Sequence, residues 1–126
     1  MNIVINIAWA ALLLIHVAPV AALFSQGLLQ TLYSVNADRE LSVLLRHRGA
    51  LFLAVVVACG FALLDPASRR VASVVVALSL MGYLWLYAEA GMPRGSLRSV
   101  AIVDLVALAP LMLVLIDAWR PRVAGA

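Results

Sequence analysis

Four long apolar stretches, roughly Ile3–Phe24, Val43–Leu64, Val71–Ala88 and Leu97–Ile116, are joined by short polar connections. A helix needs about 20 apolar residues to cross ~30 Å of hydrocarbon, and in lipid only a helix or a closed barrel satisfies its own backbone. Four such spans use nearly all of the 126 residues, so the connections hold no soluble domain. Composition agrees: 66% of residues are hydrophobic and 12% charged, and mean hydropathy is +1.09, whereas a soluble domain carries about 25% charged residues. The expected fold is all-α, one polytopic membrane domain over residues 1–126. It is an antiparallel four-transmembrane-helix bundle, multi-pass in a bacterial inner membrane.

The connections set the order of the helices. Ser25–Ser42 begins with Leu28, Leu29 and Leu32 beside Gln26 and Gln30 and continues into the polar run 36–40. That spacing predicts a short interfacial helix between the first and second spans, lying on the bilayer and able to lid the bundle. Residues 65–70, Asp-Pro-Ala-Ser-Arg-Arg, form a tight turn in which Pro66 ends one helix and Ser68 is expected to cap the next. Residues 90–96 form another, with Ser96 as the expected cap. Neighbouring spans therefore run antiparallel. The first stretch lacks a basic n-region and is longer than a leader's apolar core, so it reads as a retained helix. Arg69, Arg70, Arg120 and Arg122 lie at one face, and Arg39, Arg94, Arg98, Arg46 and Arg48 at the other. If Arg46 and Arg48 are partly buried, the remaining balance puts both termini in the cytoplasm.

The ionisable residues that intrude on the spans gather toward one face. From the 1.5 Å rise per residue, His47 lies ~6 Å, Asp104 ~9 Å and His16 ~12 Å from the boundary at the first and third connections. An aspartate two turns into a membrane helix costs ~2.5–3.5 kcal/mol on insertion scales and takes a partner inside the bundle; by depth that partner is Arg46 or His47. His47 shares a helix face with Ala50, Ala54 and Ala58, a small-residue stripe that lets a second helix approach. Arg48 lies ~200° around the helix from Arg46, so the two cannot both face inward; Arg46 and His47 are expected inward and Arg48 snorkelling to the interface. Asp104 shares its face with Ala101, Ala107 and Leu108. On the third span Ser79, Tyr83 and Tyr87 form one line, and Tyr87 and Glu89 near its end complete the candidate set His16, Arg46, His47, Asp104, Glu89 and Tyr87.

The combination of His16, Leu32-Tyr33, Arg46-His47-Arg48 followed by Leu51-Phe52, and late Arg98 and Asp104 resembles a group of small four-helix bacterial membrane proteins of unassigned biochemistry. Where that pattern often places Gly after Leu-Phe, this chain has Leu53. The resemblance bears on which residues matter and implies no reaction.

A histidine, a carboxylate and an arginine in one low-dielectric layer suit acid–base catalysis. The imidazole titrates near neutrality, the carboxylate orients it or moves a proton, and the guanidinium stabilises negative charge. The expected function is a small membrane enzyme for isomerisation, epoxide opening or cyclisation of an isoprenoid- or sterol-like substrate. No nucleophilic serine or cysteine stands beside the histidines in sequence, and the single Cys59 excludes internal dithiol chemistry. No cofactor, metal or nucleic acid is expected; the partners are lipid or a lipophilic small molecule, and a homo-oligomer or larger membrane complex. The alternative is a non-catalytic subunit, assembly or lipid-binding factor of such a complex, using the alanine stripe for its partner. A b-type haem between His16 and His47 is disfavoured by their ~6 Å difference in depth, and a small multidrug exporter by the absence of a glutamate in the first span.

Overall fold

The computed structural model describes residues 2–21, 23–33 and 38–121, with five α-helices and no strand among them. They are α1 Asn2–Ala21, α2 Gln26–Tyr33, α3 Arg39–Leu64, α4 Arg69–Glu89 and α5 Ser96–Trp119, with a single 3-10 turn at Pro66–Ser68. Four of these helices are long and apolar enough to cross a membrane. Residues Asn36, Ala37 and Arg122, and the side chains of Leu29, Leu32 and Tyr33, lie outside the described set.

Helix ends differ from the apolar boundaries because capping, and not hydropathy, sets them. The Asp38 carboxylate accepts from the Leu41 amide at 2.8 Å and starts α3 four residues before the apolar run. At the second connection the Asp65 carboxylate accepts from the Ala67 amide at 2.9 Å. Ser68 does not cap α4 with its side chain, because its hydroxyl donates back to the Asp65 carbonyl at 2.7 Å. At the third connection Gly95, with φ +112°, takes the cap position expected of Ser96, which becomes the first residue of α5. A β-carbon at that φ would be strained, so glycine serves there.

The long helices run up, down, up and down, with α1 and α4 each packed between α3 and α5. Arg69 holds the end where α4 begins. It donates to Asn6 of α1 at 2.9 Å, to the Ala62 carbonyl of α3 at 3.0 Å and to Asp117 of α5 at 3.3 Å, tying all four spans together. Beside it Arg70 donates to the Ala118 carbonyl and lies over the Trp119 ring. Hydrogen bonds to charged groups are worth about 1.5–3 kcal/mol each when lost, so Arg69→Ala is expected to lower bundle stability by about 2 kcal/mol or more. Unfolding of detergent-solubilised protein, compared with exposed Arg94→Ala, measures it; equal stability of the two variants would contradict the clamp.

From this clamp to the middle of the bundle the interior is filled by Ile5, Ala8, Trp9 and Leu12 of α1, Val55, Cys59 and Ala62 of α3, Ala72, Val76 and Leu80 of α4, and Ala107, Leu111 and Val114 of α5. The other half is built differently. Pro19 removes one backbone donor and leaves the Ile15 carbonyl without its helical partner, and α3 approaches α1 there through Gly49. A β-carbon on Gly49 would stand 3.2 Å from the Pro19 carbonyl oxygen and 3.3 Å from Leu23, so only glycine fits without displacing backbone.

Candidate active site

The Gly49 contact fixes the rotation of α3 and thereby selects among Arg46, His47 and Arg48. With Gly49 against α1, the face carrying Phe52, Val55 and Cys59 turns into the bundle, and Arg48 lies on that face. Arg46, His47, Ala50 and Ala54 are exposed. The inward placement expected for Arg46 and His47 is therefore corrected: Arg46 donates to the Leu23 carbonyl at 3.0 Å, satisfying the frayed end of α1, and His47 points outward with the alanine stripe. Helical glycine by itself did not signal this, since Gly60 and Gly82 also lie inside helices and meet no neighbour within 4 Å.

Between α1, α3 and α5 lies a cavity of about 370 Å³. Its polar wall comprises His16, Thr31, Arg48, Ser96, Ser99 and Asp104, and Phe52, Pro19 and Val103 contribute apolar surface. Thr31 brings α2 to its rim, the position expected of a lid. Asp104 is 9% exposed, on the face it shares with buried Ala101 and Ala107 as its helical spacing predicts. Arg48 lines the same cavity as Asp104, the place expected of Arg46 or His47. The Arg48 guanidinium also lies 5.3 Å from the Phe52 ring centroid and 5.1 Å from that of Tyr83, cation–π contacts that arginine makes more often than lysine.

His16 is 2% exposed and held from both sides. Its Nδ1 lies 2.7 Å from the Leu12 carbonyl; a carbonyl only accepts, so Nδ1 carries the proton and, in the neutral ring, Nε2 is an acceptor. The Ser79 hydroxyl of α4 donates to that Nε2 at 3.3 Å. No serine neighbours His16 in sequence; folding brings Ser79, 63 positions away, to its ring. Ser79 was visible in sequence only as a member of the Tyr83–Tyr87 line.

Glu89 and Tyr87 do not reach the cavity. Glu89 is exposed at the end of α4, where it is free to be hydrated. The Tyr87 hydroxyl donates to the Pro93 carbonyl at 3.0 Å, and the Tyr83 hydroxyl to the Leu97 carbonyl at 2.9 Å, so the stacked pair braces the third connection. Of the six candidates, the cavity wall holds His16 and Asp104 and adds Arg48.

Comparison with known protein families, with curated proteins and with solved structures finds no match.

Proposed function

We propose that this is a bacterial inner-membrane enzyme performing acid–base chemistry on an isoprenoid- or sterol-like substrate. The observation that supports the reading is the 370 Å³ cavity, within the span of ligand sites, lined by Asp104, Arg48 and His16 from three helices long and apolar enough to cross a membrane. Asp104 exchanges a proton with the substrate, Arg48 stabilises the negative charge that develops, and His16 with Ser79 supplies a second proton-transfer group. Isomerisation and cyclisation return the proton they take and need no co-reactant; hydrolytic epoxide opening consumes one water. The test is conversion of prenyl alkenes, allylic alcohols and epoxides by protein in liposomes, followed by mass spectrometry. His16→Gln is expected to lower conversion by about 10²–10⁴, the usual worth of a positioned acid or base, with helical content unchanged. Full activity in this variant would defeat the proposal.

The exposed stripe of His47, Ala50 and Ala54 supports a second reading, a subunit of a larger membrane complex in which another helix covers that face. In that case Ala54→Leu abolishes assembly and function while His16→Gln leaves both intact.

A further inference from the structure

We propose that the outer face of the α4–α5 pair binds an anionic glycerophospholipid, its phosphate held by Arg94 and Arg98 and its acyl chains lying along α5. A groove of about 420 Å³ lies between Tyr87 near the end of α4, the third connection and the first turns of α5. It shares no lining residue with the cavity of His16, Arg48 and Asp104, so binding here is separate from the chemistry proposed there. Arg94 and Arg98 are its charged residues. Other arginines serve the bundle: Arg46, Arg69 and Arg70 donate to backbone carbonyls, and Arg48 lies against two rings. The side chains of Arg94 and Arg98 are exposed and make no hydrogen bond, ion pair or ring contact with a described residue. Neither Glu89, exposed at the end of α4, nor Asp104, in the other cavity, pairs with them. Each guanidinium therefore has its five N–H donors available, in a fork that fits two phosphate oxygens at once.

Charge and depth identify the occupant. Arg98, Ala101, Ile102 and Leu105 follow one another at three- and four-residue spacing, so they form one line on α5. Leu105 lies about 10 Å further into the span than Arg98 at the helical rise. Ala101, 3% exposed, is the floor of the groove, while Met92, Ile102 and Leu105 are each half exposed or more and leave it open sideways. The Tyr87 hydroxyl is already bound to the Pro93 carbonyl, so that residue offers the groove its ring. A cationic end at the boundary and an apolar line running inward match a lipid with a net negative headgroup, the ligand that basic pockets between membrane helices take. A free anion leaves the apolar line unused, and a zwitterionic lipid brings an ammonium beside the two guanidiniums.

Native mass spectrometry of the detergent-solubilised protein, titrated with phosphatidylglycerol or phosphatidylethanolamine, tests the site by counting bound lipids. The protein is expected to retain one phosphatidylglycerol in preference to phosphatidylethanolamine. A basic residue beside an anionic lipid contributes about 1 kcal/mol, a factor of about five. Arg94→Gln and Arg98→Gln are each expected to weaken the first phosphatidylglycerol by about that factor, and the double variant by about 25-fold with loss of the preference. Neither side chain has a described partner to lose, so these variants keep the helical content and melting temperature of the parent. Arg39→Gln, which removes an equally exposed arginine outside the groove, is expected to leave binding unchanged. Inorganic phosphate at the concentration of the lipid is expected not to displace it, because phosphate has no chain to place against Ile102 and Leu105. Equal binding of phosphatidylethanolamine, indifference to the double variant, or as large a loss in Arg39→Gln would each overturn the inference. Displacement by inorganic phosphate would do so too, by showing an anion site that makes no use of the apolar line.

Discussion

On the proposed acid–base function, replacing Asp104 with Asn is expected to lower turnover by about 10²–10⁴, because an amide of nearly the same shape can neither take nor deliver the proton assigned there to the carboxyl group. The change also withdraws a negative charge from the cavity that Arg48 lines. A cation left uncompensated among the spans is costly, so Asp104→Asn is expected to unfold at a lower temperature than Glu89→Gln, which alters only an exposed group. Asp104→Glu restores the acid but places it one methylene deeper into the 370 Å³ space, and is expected to recover stability more fully than turnover. Assays in liposomes and melting curves in detergent separate the two effects. An Asp104→Asn enzyme with wild-type turnover would remove the carboxylate from the mechanism.

The three neighbouring basic residues should behave unlike one another. Arg48→Gln is expected to reduce turnover about 10²–10³-fold, the effect of deleting one donor to developing negative charge, and to destabilise the bundle by unstacking Phe52 and Tyr83. Arg48→Lys keeps the charge but not the planar donor fork and falls between the parent protein and Arg48→Gln. His47→Gln, on the outer face, is expected to leave turnover unchanged. Arg46→Gln costs the bond to the Leu23 carbonyl, about 1 kcal/mol of stability, with little effect on chemistry. The reverse order, with His47 or Arg46 essential and Arg48 dispensable, would mean that α3 is rotated in the working protein.

That ordering marks the boundary of what could be read before folding. Apolar length and turn residues are local properties, and from them alone follow four membrane-length helices, tight second and third connections, and the placement of His16 and Asp104 in one half of the bundle. The 1.5 Å rise gives depth without any tertiary information. The spacing of Ala101, Asp104 and Ala107 likewise put the carboxylate on a buried face of α5.

Helix rotation was not legible in the same way. In water, the apolar stripe of a helix marks its inward face; in lipid, the outward face is apolar as well, and that mark disappears. The stripe of Ala50, Ala54 and Ala58 therefore looked like a packing surface, whereas only Ala58 packs against the core and the close approach is made at Gly49 against Pro19 and Leu23. That single contact turns Arg48 into the cavity that Asp104 also lines and leaves His47 on the exposed face. The meeting of Ser79 with His16 and the arrival of Thr31 at the cavity rim also depend on how distant segments pack. Sequence by itself determined the number, length and direction of the helices and the depth of their polar groups; tertiary packing alone decided which of those groups face one another, because helix phase in a membrane is set by steric fit and not by hydropathy.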